Sequence, residues 1–119
     1  MVNKRKAIES LYNGVCTITV YREIKNEKNK TTKHEEVDVI VNHPCRLSYM
    51  TVKVADENDV AAKVTQVIKL FISPDIVIKP GSKITVTQNG VTADYQSSGE
   101  PARYPDHQEI VLELFKGWA

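Results

Sequence analysis

A chain of 119 residues and 13.4 kDa is enough for one domain with its own core and too short for two ordinary ones. Sixteen Lys and Arg against fifteen Asp and Glu leave a formal charge of +1, with 26% of residues charged. That balance argues against general disorder and against a polyanion binder defined by bulk charge. No apolar run approaches the ~20 residues that span a bilayer. The basic start MVNKRKAIES has no apolar stretch behind it, so the expectation is a soluble, intracellular, cofactor-free domain with reduced thiols at Cys16 and Cys45.

Residues 1–14 are predicted as one short helix. Ala7, Ile8, Leu11 and Tyr12 fall near one face, and Asn13-Gly14 supplies the stop. The period then changes to two. In 15–24, Cys16, Ile18, Val20 and Ile24 alternate with polar residues as in a half-buried strand. Residues 25–34, KNEKNKTTKH, carry no apolar side chain and read as an exposed hairpin tip or loop. Residues 35–43 alternate through Val37, Val39 and Val41, and Pro44 ends or kinks that strand. Residues 45–49 continue it, with Cys45, Leu47 and Tyr49 on one face.

Residues 50–62 break the period, and Asp56, Glu57 and Asp59 cluster there. A mobile loop is expected, with a short helix capped by Asp59 as the rival. From Lys63 to Ile72 the strand pattern returns. Lys79-Pro80-Gly81-Ser82 has the form of a type II turn, and Asn89-Gly90 is the strongest short hairpin signal, a type I′ turn between 84–88 and 91–96. Residues 97–106 read as a loop with Gly99, Pro101 and Pro105 as breakers. Residues 107–115 read as a final strand, central or buried in an assembly, with Ile110, Leu112 and Leu114 on one side and Val111 and Phe115 on the other. Six or seven short strands after one helix predict a single all-β domain over 1–119, a small antiparallel barrel or sandwich with long polar loops.

The chemistry-bearing residues form no catalytic or metal motif. Cys16, Cys45, His34, His43 and His107 lack CxxC or HxxxH spacing, and the two cysteines lie in the apolar register of strands. Ser48, Ser97, Ser98, Asp106 and His107 could in principle form a triad, but no GxSxG elbow is present. Glu109 and Glu113, four apart on a strand, would sit about 13 Å apart, too far to cooperate as acid and base. Two basic clusters, Lys4-Arg5-Lys6 and Lys25, Lys28, Lys30 and Lys33, come without a nucleic-acid motif. They read as solvated, with mild electrostatic contact to DNA or a partner as the sharper alternative.

Four strings, in order along the chain, carry a resemblance: IESLYN (8–13), PCRLSY (44–49), LFISPDIVIKPGSKITVTQNG (70–90) and SGEPARYPDHQEIVLELFKGWA (98–119). Together they resemble the XkdH and YqbH type of small structural protein of phage-like elements and related tailed phages. The resemblance implies a non-enzymatic component of the head-tail connector, of head-closure or stopper type. Such a β-barrel forms a homo-oligomeric ring in the particle and is a monomer when isolated. Its partners would be a portal or adaptor protein and a tail-completion protein, with non-specific contact to packaged DNA and none to membrane. It would pass from the bacterial cytoplasm during assembly to the virion neck. No catalytic, cofactor or metal residue is carried over. Asp56, Glu57 and Asp59 are the expected channel-facing or partner-facing residues. A stand-alone β-barrel binding module or small enzyme unrelated to virion assembly is the alternative.

Overall fold

The protein, a computed structural model, is described over residues 3–54 and 63–118. The chain begins with α1 (Lys4–Glu9). The Asn3 side chain caps it by accepting from the Arg5 amide at 3.0 Å. The helix is shorter than the predicted 1–14. The amides of Leu11 and Tyr12 bond back only three residues, to Ile8 and Glu9, so the last turn tightens and leaves the helix. Asn13-Gly14 is therefore not its stop, and Gly14 opens the first strand.

The strands are β1 (Gly14–Asn26), β2 (Thr31–Val54), β3 (Lys63–Ile72), β4 (Lys83–Gln88), β5 (Val91–Ser97), β6 (Ala102–Arg103) and β7 (Gln108–Leu114). All pairings are antiparallel, in the order β3-β2-β1-β4-β5-β7-β6. An additional β3–β7 pairing brings the sheet round on itself into a small, nearly closed barrel. The core is one apolar cluster, including Ile18, Leu47, Leu70, Ile72, Ile84, Val86, Ile110 and Leu112. Cys16 and Cys45 belong to it as free, buried thiols. A hydrogen bond to Cys45, and then burial, push the Cys16 thiol up, which keeps it protonated and unreactive. No helix among the described residues is long and apolar enough to cross a membrane.

Strand β2 departs most from the sequence reading. It does not end at Pro44 but runs 24 residues, pairing with β1 up to Cys45 and with β3 from Cys45 to Val54. Pro44 falls just before this handover. Its β3 side is still unpaired there, an edge position that tolerates a missing N–H. Two irregularities in the β1–β2 ladder, with Asn42 at φ 50°, insert extra β2 residues opposite Cys16–Thr19. Such bulges re-aim side chains. Ile40 packs on the core, while Val39 and Val41 are 45% and 60% exposed, against the simple alternation expected of them.

Residues 25–34, predicted as an exposed hairpin tip or loop, are the exposed tip of the β1–β2 hairpin, and most of them are strand. Seven consecutive pairs from Val20↔Val37 to Asn26↔Thr31 extend a two-stranded ribbon past the end of the β1–β4 pairing, and only residues 27–30 make the turn. Thr51–Val54, expected in a loop, are strand paired to Lys63–Gln66. Residues 55–62 lie outside the described residues. β6 is a two-residue strand inside the predicted 97–106 loop. β7 is central as expected, paired on both sides, but Leu114 is 66% exposed and leaves the inward face formed by Ile110 and Leu112.

Both predicted turns are present. The Ser82 amide bonds the Lys79 carbonyl at 3.1 Å with Gly81 at φ 84°, and Asn89 and Gly90 stand at φ 53° and 77°. A Cβ at Gly90 would meet nothing within 4 Å, so the position restricts side chains through its backbone alone. Gly90→Val should accordingly cost ~1 kcal/mol or more, read as a lowered urea midpoint. An unchanged midpoint would contradict the turn.

Candidate functional site

The ribbon leaves the barrel beside the segment joining β3 to β4, residues 73–82. Between them lies a groove of about 890 Å³, with Ile18, Tyr21, His34, Val39, Val77 and Trp118 on its walls. Each wall has an identifiable anchor.

The joining segment is fixed from below by Gln108. This side chain is fully buried, and its amide nitrogen donates to the Ser73 and Ile76 carbonyls at 2.8 and 2.6 Å. From outside, Arg5 of α1 donates to Ser73 Oγ at 2.7 Å and to the Asp75 carboxylate at 2.6 Å, and pairs with Glu9 at 3.1 Å. The Asp75 and Glu9 hydrogen bonds raise the Arg5 pKa further. Lys4 reaches Asp106 at 3.5 Å. Two members of the first basic cluster, Lys4 and Arg5, therefore tie the helix to the barrel.

The other wall is held by the C-terminal segment. The Phe115 amide bonds the Asp94 carbonyl at 3.1 Å, and Gly117, at φ 102°, turns the chain in a way a side chain would resist. Trp118 then stacks on Tyr21 at 5.1 Å and meets Phe115 edge-on at 5.0 Å. Its indole N–H donates to Glu36 at 2.8 Å, and Lys83 reaches the same carboxylate oxygen at 3.1 Å. Tyr21 also lies 5.4 Å from the His34 ring. This clasp ties the base of the ribbon to the barrel.

Glu36 is held below the usual carboxylate range, first by the Trp118 N–H and then by Lys83. Because the folded value lies below the unfolded one, the stabilisation is complete at neutral pH and is lost as pH falls below the ordinary range near ~4.3. Trp118 is the only tryptophan, so fluorescence reads the clasp directly. Its emission should shift to the red in acid before far-UV circular dichroism changes, and Glu36→Gln should remove that early step. A flat emission maximum up to global unfolding would contradict the clasp.

The structure brings together part of what the sequence offered for catalysis. Asp106 accepts from His107 Nδ1 at 2.7 Å, and Glu109 lies 3.3 Å from Nε2. The His107 hydrogen bond holds Asp106 below its usual range. Tyr104 stacks on the ring at 4.8 Å. Both ring nitrogens thus face carboxylates, and among the described residues no serine hydroxyl bonds to His107, although Ser48 lines the same small pocket of about 290 Å³. Glu109 and Glu113 have separate partners, Lys69 at 3.7 Å for the first and Gln96 at 2.6 Å for the second. Among the described residues no group of three or more His, Cys, Asp or Glu is placed to hold a metal ion. Asp56, Glu57 and Asp59 lie outside the described residues.

Sequence reasoning missed Gln108, Trp118, Glu36, Lys83 and the Arg5–Asp75 pair. A usable signal existed for two of them. Gln108 is a polar residue in the inward register of Ile110 and Leu112, and Trp118 is a lone tryptophan beyond the last strand.

No family model matches the chain, and no curated protein does. Among solved structures it is similar to the phage-like element PBSX protein xkdH from Bacillus subtilis, at 12% identity and a TM-score of 0.48, over 84% of this chain and 91% of that one. This is a distant likeness to a protein of one of the two types that the four strings resemble.

Proposed function

We propose that the chain is a non-enzymatic structural protein of a tailed phage or phage-like element, acting in the head-tail connector as a head-closure or stopper ring between portal or adaptor and tail. The observation that carries this reading is the run of resembling strings. They fall on the lead into β1, the β2 handover, β3 through the β4–β5 turn, and β6 through the C-terminal clasp. The resemblance thus follows the barrel, the joining segment and the C-terminal wall of the groove, and skips the ribbon tip.

Asp56, Glu57 and Asp59 remain, on sequence grounds, the proposed channel-facing or partner-facing charges.

Deleting the gene from its parent element tests the reading. The expected particles are heads and tails that fail to join or that leak DNA, rescued by adding the purified protein. Intact, joined particles would refute it. Reproducible hydrolase turnover lost in His107→Ala would instead favour a small enzyme on the same barrel.

A further inference from the structure

The β1–β2 ribbon is the most exposed part of the described chain. Every residue from Tyr21 to Glu36 is exposed, and the seven pairs beyond Thr19 carry it about 20 Å outward. Its distal end holds four lysines, Lys25, Lys28, Lys30 and Lys33, against one acid, Glu27, in a chain whose overall charge is only +1. None of the four lysines takes part in a described salt bridge: the ion pairs use Lys4, Arg5, Lys69, Lys83, Lys116 and His107 as their basic partners. The positive charge is thus local to residues 25–33; Glu23, Glu35 and Glu36 lie nearer the barrel and bring the ribbon from Tyr21 to Glu36 back to a formal +1.

We infer that the ribbon tip is a duplex-DNA contact, engaging phosphates on both sides of a groove without reading sequence. Register supplies the argument for DNA over an acidic protein surface. Lys25 lies opposite Thr32 and Lys33 opposite Ile24, and adjacent strand positions point to opposite faces. The two lysines therefore flank the ribbon on its two faces, while Lys28 and Lys30 sit in the turn at its end. A flat acidic surface meets one face of a ribbon. The major groove of DNA admits a two-stranded ribbon and has phosphates along both rims. Asn26, Asn29, Thr31 and Thr32 between the lysines are short and polar, so the tip carries no apolar bulk that would resist insertion. Within the connector reading, the DNA is the packaged genome, and a ring would multiply weak single contacts.

The test is fluorescence anisotropy of a labelled ~20-base-pair duplex titrated with the full chain between 50 and 200 mM NaCl. Four phosphate contacts give a log–log salt slope of about −3 to −4, roughly a hundredfold loss of affinity over that range. Lys28→Gln with Lys30→Gln should reduce the slope by about 2, with the Trp118 emission unchanged as evidence of folding. Lys6→Gln with Lys116→Gln, remote from the tip, should leave it unaltered. Absence of binding at 50 mM salt, an equal loss in both double variants, or displacement by polyglutamate as effective as by unlabelled duplex would overturn the inference. The connector reading depends on particle assembly and this one on the binding isotherm, so either can fail alone.

Discussion

Gln108→Leu should lower the melting temperature by on the order of 10 °C. Gln108 is buried at 0% exposure with its amide on two loop carbonyls, at 2.8 Å to Ser73 and 2.6 Å to Ile76. Leucine matches its volume but takes that donor from both carbonyls; the Ser73 carbonyl keeps the Ile76 amide at 3.2 Å, so the Ile76 carbonyl is the one orphaned, at a cost of about 1–3 kcal/mol. A partial offset exists. Gln108 Oε1 has no protein partner among the described residues, and leucine removes that burden. The net expectation is about 1–3 kcal/mol, with a few degrees of melting temperature per kcal/mol for a chain of this size. Gln108→Glu should be worse, because it removes the donor and buries a charge beside two carbonyl oxygens. If both variants melt like the parent, the joining segment is held by something else and the groove wall is not fixed from the core.

The second large effect concerns the barrel seam. Leu70 is fully buried, and its register partners are Leu47 of β2 on one side and Ile110 of β7 on the other. Leu70→Ala should cost about 3 kcal/mol, within the 2–5 kcal/mol usual for such truncations. Leu114→Ala should fall within about 0.5 kcal/mol of the parent, because Leu114 is largely exposed. Chemical denaturation of both variants checks the pair. Equal losses would mean that β7 does not turn outward at its end and that the seam is misplaced.

Legibility in the sequence followed burial. β3 is legible at its observed bounds, and both turns are legible residue by residue, because Pro80-Gly81 and Asn89-Gly90 act through local backbone preference. The exposed hairpin tip is legible, but the length of the ribbon is not. Period-two hydrophobicity appears only where one face of a strand is covered, and residues 25–34 are strand or turn with neither face covered. Val39 and Val41 misled for a related reason, since bulges shift the inward position to Ile40 without changing the composition. The groove was equally hidden. Its anchors, Arg5–Asp75, Gln108–Ser73 and Trp118–Glu36, join residues 35 to 82 positions apart, and no local pattern encodes such a pairing.

The role proposed for this chain is in the ring that joins head to tail. A cryo-EM map of the neck of particles from the parent element tests it most directly. The account predicts density below the portal and its adaptor that fits a ring of copies of this barrel, with the ribbons reaching toward the DNA. A neck fully accounted for by other chains, with this barrel absent, would contradict it.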